Sequence, residues 1–138
     1  MRIKTLQFKT LLIFCLLVSS CGSSEVELNE ENISGIWKVT SFDVDTEELA
    51  PQLINTVRSS QLSSTYTFGS DGAYAHQSSL PLETGTWSLQ ANEKKLSFAN
   101  KGGESAGSFV IAKLTENSMI LSQELGPLGS IKMTLKRK

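Results

Sequence analysis

The sequence predicts an all-β fold, an eight-stranded antiparallel up-and-down barrel with one short helix in its first long connection. From Gly35 onward, apolar and polar residues alternate almost throughout, and runs of Gly, Asn, Asp and Ser separate the alternating segments. Only the first connection is long. Closing the sheet removes the edge strands that an open sheet exposes. The alternative is a two-sheet sandwich, whose crossing connections normally need more long loops.

Eight short segments carry the strand pattern. They are predicted at residues 35–44, 65–68, 73–79, 86–90, 95–99, 108–114, 119–123 and 130–136. Phe42 breaks the alternation of the first strand, which predicts a bulge or a change of face. Asp71-Gly72 favours a hairpin turn after the second strand, and Pro81 ends the third.

The last strand shows the clearest alternation. Ile131, Met133 and Leu135 fall on one face, which we expect to be buried, while Lys132, Thr134 and Lys136 fall on the other. The turns before it are predicted at Asn92-Glu93-Lys94, Asn100 to Gly103, Glu116-Asn117-Ser118 and Gly126 to Gly129.

The long first connection, residues 45–64, has a helical pattern instead. Leu49, Leu53 and Val57 recur every four residues, and Pro51 is tolerated in a first helical turn. A helix is therefore predicted at about 51–59, with one apolar stripe that must lie on another part of the domain.

Length and charge limit the classes of protein to which this chain can belong. The chain has 138 residues and a formal net charge of −1. Without residues 1–20 it keeps 118 residues, with ten basic and 14 acidic side chains. That length suits one domain. The acidic balance argues against nucleic acid as a partner, since nucleic-acid binding needs a clustered basic face.

Residues 1–20 are predicted to be a secretory signal peptide. A basic start (MRIKTLQFK) precedes an apolar run at 10–18, and Ser19 and Ser20 follow it. The apolar run is shorter than the ~20 residues of a membrane span, which argues against a transmembrane anchor.

The quartet Val18-Ser19-Ser20-Cys21 resembles the lipobox of bacterial lipoproteins. The resemblance implies cleavage before Cys21, a diacylglycerol on its sulfur and an acyl chain such as palmitate on its amino group. Several acyl chains anchor firmly, since each buried methylene contributes ~0.8 kcal/mol. We therefore expect an outer-membrane lipoprotein of the bacterial cell envelope, facing the periplasm or the cell surface. The alternative is ordinary cleavage near Ser20 that leaves a free thiol.

The predicted barrel domain contains no cysteine. Cys15 leaves with the signal and Cys21 carries lipid, so residues 33–138, the predicted barrel domain, contain no thiol. Disulfides, thiol catalysis and cysteine-ligated zinc are thereby excluded from that domain. Residues 21–32 are rich in glutamate and are predicted to form a flexible acidic tether.

Several segments together resemble a known family, the lipocalin-like domain of small bacterial lipoproteins, over about residues 33–138. They are Gly35-Ile36-Trp37-Lys38-Val39-Thr40-Ser41, Tyr66-Thr67-Phe68-Gly69-Ser70-Asp71-Gly72-Ala73-Tyr74, Gly85-Thr86-Trp87-Ser88-Leu89, Lys95-Leu96-Ser97-Phe98 and the final Thr134-Leu135-Lys136-Arg137-Lys138. The resemblance implies a barrel and, by analogy, small-molecule binding, without a catalytic set. It also implies that Trp37 closes the barrel base under a late basic residue, Lys136 or Arg137.

Aromatic residues are the candidates for a ligand cavity. The set is Trp37, Tyr66, Phe68, Tyr74, Trp87 and Phe98, with Phe109 as a further aromatic. They are predicted to bind a small apolar or amphipathic molecule, and Leu49, Leu53 and Val57 are predicted to form a lid over the open end. Alternatively the rings simply fill the barrel, because eight strands are just wide enough to be packed by side chains.

Catalytic and metal chemistry find little support. His76 is the only histidine and is expected at the wet face or rim. Asp43, Asp45, Glu47 and Glu48 lack the spacing of a calcium loop and are expected to be a solvated rim. No catalytic residue, metal ligand or cofactor is predicted. The alternative function is a filled barrel that serves as a scaffold or binds another envelope protein.

Overall fold

The computed structural model describes residues 24–79 and 81–138, and these residues form a closed barrel of eight antiparallel strands in chain order. The strands are β1 (Gly35–Asp45), β2 (Thr65–Phe68), β3 (Ala73–Gln77), β4 (Glu83–Gln90), β5 (Lys95–Asn100), β6 (Ser105–Leu114), β7 (Ser118–Glu124) and β8 (Ser130–Arg137). Because β8 pairs with β1, the predicted barrel is confirmed and the sandwich is wrong. The predicted signal peptide and Cys21 lie outside the described residues.

Two strands begin three residues earlier than the sequence pattern predicts. β4 starts at Glu83 instead of Thr86, and β6 starts at Ser105 instead of Ser108. Both early segments contain a glycine and lack large apolar side chains, so the alternation is invisible there. Backbone pairing with the neighbouring strand extends them all the same, as in the pairs Tyr74 with Gly85 and Phe98 with Gly107.

The predicted irregularity in β1 is confirmed. The pairing of β1 with β8 shifts register between Val39 and Ser41, which is a bulge. The shift lets Val39 and Phe42 both point into the barrel, where both are buried, although three positions separate them. Without the bulge, strict alternation would turn Phe42 outward.

The two ends of the barrel differ. The connections β2–β3, β4–β5 and β6–β7 lie at one end, the closed end, which also carries the N-terminal segment and the end of β8. The connections β1–β2, β3–β4, β5–β6 and β7–β8 lie at the other, the open end. Inward side chains of all eight strands form the core between them, including Phe68, Leu96, Ile111, Leu121 and Met133.

The N-terminal segment differs from the predicted flexible tether. Glu25 forms a β-bridge with Thr115, and the Val26 N–H donates to the Leu114 carbonyl at 3.0 Å. Val26 and Leu28 pack against the core. The apolar surface of Val26 and Leu28 is therefore removed from water. The neighbouring glutamates made this segment look fully polar in the sequence. The part of the predicted tether from Glu25 onward is docked on the barrel.

A short helix continues this docked segment. It is α1 (Glu30–Ile33), and the Asn29 side chain caps it by accepting from the Asn32 N–H at 2.8 Å. Ile33, at its end, is fully buried. The helix therefore delivers the chain to the start of β1 with its last side chain in the core.

Trp37 and Arg137 close the barrel at this end. The Trp37 ring is fully buried and its Nε1–H donates to the Ile33 carbonyl at 2.8 Å. The Arg137 guanidinium lies 4.2 Å from the ring centroid and donates to the carbonyls of Asn32, Ser34 and Glu116 at 2.6, 2.7 and 2.8 Å. Of the two basic residues considered for this position, Arg137 occupies it, while Lys136 is exposed.

Arg137→Lys is expected to lower the free energy of unfolding by about 1.5–3 kcal/mol, although it keeps the charge. Lysine lacks the planar fork that reaches several carbonyls at once. Urea denaturation followed by circular dichroism measures the loss. Lys136→Ala, one residue away and exposed, is the control and should change stability by less than about 0.5 kcal/mol. Equal stability of the two variants would contradict this role of Arg137.

The second helix, α2 (Pro51–Gln61), confirms the helix predicted in the first connection and extends it by two residues. Pro51 begins it, where a missing N–H costs nothing. The Arg58 Nε–H donates to the Phe42 carbonyl at 3.0 Å and so ties the helix to β1. Across residues 24–79 and 81–138, neither this helix nor any other has the length and apolarity to cross a membrane.

Candidate functional site

The predicted cavity aromatics all point into the barrel and are buried. The structure brings five of the six together as a stack of rings: Tyr66, Phe68, Tyr74, Trp87 and Phe98. The sixth, Trp37, lies at the closed end under Arg137. The five rings are termed the aromatic cluster below.

Close ring contacts fill the space within the aromatic cluster. The Tyr74 and Phe98 centroids are 4.7 Å apart and stacked, and Phe68 lies 5.5 Å from Trp87 in an edge-on arrangement. Both separations fall in the range of favourable aromatic pairs. The Trp87 Nε1–H donates to the Gly69 carbonyl at 2.9 Å, which satisfies its one polar atom. The rings of the aromatic cluster are therefore packed closely against one another.

His76 lies at the edge of the aromatic cluster nearest the open end, and it is buried, with 7% of its surface exposed. Its imidazole stacks on the Tyr66 ring, the cross-strand partner, with 4.2 Å between centroids. The expectation of a wet or rim position is therefore wrong. Tyr74 and His76 are two residues apart on one strand, so the same alternation that buries the tyrosine also buries the histidine.

Three buried side-chain atoms have no hydrogen-bond partner within the described part of the chain. They are His76 Nε2, Ser64 Oγ and Gln61 Oε1. Ser64 continues the inward face of β2, two residues before Tyr66, and its N–H donates to the Gln61 carbonyl at 3.0 Å. A buried polar atom without a partner costs about 1–3 kcal/mol, so such atoms mark a place for water or a ligand.

Sequence reasoning missed Ser64 and Gln61 as site residues. Ser64 is in phase with Tyr66 and Phe68, so extending the alternation of β2 backwards by two residues finds it. Gln61 ends α2 and carries no comparable pattern. His76, Ser64 and Gln61 together are termed the polar trio below.

Glu83 borders the polar trio. Its Oε2 lies 3.4 Å from His76 Nδ1, and its side chain is mostly exposed. Burial, and secondarily the Glu83 charge, raises the pKa of the Tyr66 hydroxyl well above its usual value. Burial also raises the pKa of Tyr74, with Tyr66 and Glu83 adding to the shift. Both phenols therefore stay protonated even at the alkaline pH at which a free tyrosine ionises.

The predicted lid residues differ in their placement. Val57 packs against the core and Leu49 is half-buried. Leu53 is 50% exposed and its side chain faces solvent for the most part. The apolar stripe of α2 therefore contacts the barrel at its C-terminal part, beside β1.

Two open grooves lie on the same side of the barrel. One has a volume of about 650 Å³ and is bordered by Tyr74, Glu83 and Asn100, and the other, of about 570 Å³, includes Tyr74 and Gly85. Tyr74 lines both grooves, and the other five predicted cavity residues line neither. Tyr74 thus connects the aromatic cluster with the outside of β3 and β4.

The open end is acidic. In its connections and the three strand residues adjoining each, the described residues include seven acidic and three basic side chains: Asp43, Asp45, Glu47, Glu48, Glu83, Glu104 and Glu124 against Arg58, Lys101 and Lys132. These ten charged side chains are together termed the acidic rim below. Over the described ranges, no three His, Cys, Asp or Glu side chains are grouped to hold a metal ion.

Comparison with solved structures supports the fold. The NMR structure of a protein from Bacteroides uniformis ATCC 8492 is similar, with a TM-score of 0.56 and 16% sequence identity, over 82% of this chain and 94% of that one. At this identity the likeness concerns the fold alone. No curated protein matches the sequence.

Comparison with family models supports the same architecture. The model of the lipocalin-like domain matches residues 33–121, well over half of the chain. The match begins at the buried end of α1 and runs through β1 to the middle of β7. The chain belongs to the lipocalin-like domain family.

Proposed function

We propose that this protein is a bacterial outer-membrane lipoprotein whose barrel binds a small amphipathic molecule at the open end and catalyses no reaction. The observation that carries the proposal is the polar trio, whose buried atoms have no partner among the described residues. In a packed scaffold that binds no ligand, each such atom would lower the stability of the fold without a compensating function. A bound molecule that supplies hydrogen bonds removes this cost.

The surroundings of the polar trio suit the apolar part of such a ligand. Tyr66 and the rest of the aromatic cluster form the floor. Val44, Val57 and Ile131 are half-buried apolar side chains near the open end that a ligand can cover further. Ligand sites in proteins typically combine mostly apolar walls with a few polar groups that fix orientation.

Native mass spectrometry of the full-length protein, purified from its own host, tests this proposal. We expect a retained small molecule on the wild type and its loss in Ser64→Ala. Because that substitution removes a buried hydroxyl without a described partner, the empty barrel should be at least as stable as before. Ser88→Ala, on an exposed position of β4, is the matched control and should retain the molecule.

A wild-type protein that carries no molecule, together with unchanged stability on adding candidate amphiphiles, would refute ligand binding. It would favour the alternative, a filled barrel that acts as a scaffold or binds an envelope protein. The close packing of the aromatic cluster supports that alternative, since Phe98 stacks on both Phe68 and Tyr74, with ring centroids 5.9 and 4.7 Å apart.

Cys21→Ser is expected to move the protein from the membrane fraction to the soluble fraction of its host. Serine offers no thiol for the diacylglycerol, so the anchor cannot be attached. Cell fractionation and incorporation of labelled palmitate measure the change. Cys15→Ser, inside the predicted signal peptide, should leave both unchanged, and membrane association of Cys21→Ser would contradict lipidation.

A further inference from the structure

We propose that the open end selects a ligand with an amine head group, whose ammonium donates hydrogen bonds to the polar trio, over a ligand with a carboxylate. This inference rests on the proposed binding function and specifies the chemical class of its ligand. Three observations support it: the acceptor character of the unpartnered atoms, the position of Glu83 and the charge of the acidic rim.

The contact between His76 and Glu83 assigns the acceptor on the imidazole. A carboxylate only accepts hydrogen bonds, so the His76 Nδ1, 3.4 Å from Glu83 Oε2, carries the hydrogen. In the neutral ring the other nitrogen, Nε2, then has a free lone pair. His76 Nε2 is one of the buried atoms without a described partner, so it can accept a hydrogen bond from a donor on the ligand.

The other two atoms of the polar trio can also accept. Gln61 Oε1 is a carbonyl oxygen, and Ser64 Oγ has two lone pairs besides its hydrogen. Tyr66 pairs with His76 across the strands, so Ser64, two residues earlier on the same face, lies diagonally opposite the histidine. An ammonium has several N–H donors for such a set, whereas a carboxylate offers none.

The charges around the polar trio also favour an amine over a carboxylate. The Glu83 carboxylate touches His76 and helps to keep the Tyr66 phenol protonated, so it disfavours negative charge at this place. The same repulsion acts on an anionic ligand. The acidic rim, with seven acidic and three basic side chains in the described connections and strand ends, attracts cations from a distance.

The single histidine of the chain makes a direct test feasible, because a ¹⁵N-histidine-labelled protein gives the imidazole signals of His76 alone. The probes are octylamine, octanol and octanoate, which share one chain length and differ in the head group. At pH 7.5 we expect octylamine to shift the Nε2 signal and to bind at least about tenfold more tightly than octanoate, as one charge-assisted hydrogen bond implies.

Glu83→Gln should reduce the preference for octylamine over octanoate several-fold, because it removes the charge and keeps the shape. Glu93→Gln, the same change at the exposed turn of the closed end, is the matched control and should leave the preference intact.

Octanoate that binds as tightly as octylamine and shifts the His76 signal would overturn the amine preference and leave the binding function standing. An Nε2 signal unmoved by all three probes, with no molecule retained on the native protein, would overturn both. A retained native molecule without an amine group would overturn the preference alone.

Discussion

Trp37→Ala is expected to lower the free energy of unfolding by about 3–5 kcal/mol, the range for removing a fully buried tryptophan. The substitution deletes the ring that Arg137 covers and leaves the Ile33 carbonyl without its donor. Since small domains are stable by only about 5–15 kcal/mol, a large part of that margin disappears. Urea denaturation followed by circular dichroism provides the measurement.

Trp37→Phe distinguishes the contribution of the aromatic ring to stability from the contribution of its hydrogen bond. Phenylalanine keeps most of the apolar volume and a face for the Arg137 guanidinium, but it cannot donate to Ile33. We expect it to lose about 1–3 kcal/mol, clearly less than the alanine variant. If the two variants lose the same amount, the ring itself contributes nothing and the closed-end arrangement described here is wrong.

Gly85→Ala is the second substitution with a large expected effect. A Cβ at this position would lie far inside the van der Waals contact distance of the Ala99 carbonyl oxygen on β5, and rigid backbone cannot move aside as a side chain can. The pairing of β4 with β5 must therefore open next to Asn100. We expect a loss of about 3 kcal/mol or more, at the upper end for overpacked sites.

Gly102→Ala is the control for this effect. Its Cβ would approach the side-chain oxygen of Asn100 at 3.3 Å, and that side chain can shift. We expect a loss below about 1 kcal/mol in the same urea titration. Near-UV circular dichroism should change in Gly85→Ala alone, because Tyr74 faces Gly85 across the strands. Similar stability of the two variants would contradict the predicted backbone clash.

Strand order and the buried face of most strands could be predicted from the sequence, because a side-chain period of two is a local property. The last strand shows this best, since Met133 and Leu135 are fully buried as their alternation indicates. The beginnings of β4 and β6 could not be predicted, because their glycine-containing ends are held by pairing with strands elsewhere in the chain.

The candidate site was predictable in part. The aromatic residues were identified correctly as inward-facing, but their mutual stacking depends on how eight strands are staggered around the barrel, which no local pattern contains. The burial of His76 was available from the alternation with Tyr74. The general tendency of histidine to be partly exposed indicates the opposite, but in this strand the alternation decides, and His76 is buried.

If Cys21 carries a lipid anchor as proposed, the docked N-terminal segment would also set the direction in which the proposed binding site faces. From Cys21 to Glu25 the chain has four steps, which span at most about 14 Å when extended. Glu25 is held at Thr115, a closed-end connection. A lipid anchor on Cys21 would thus hold the closed end against the bilayer, with the acidic rim a full strand length further out. Ligands would then enter from the aqueous side, so a molecule with some solubility in water has an easier route than one that stays dissolved in the membrane.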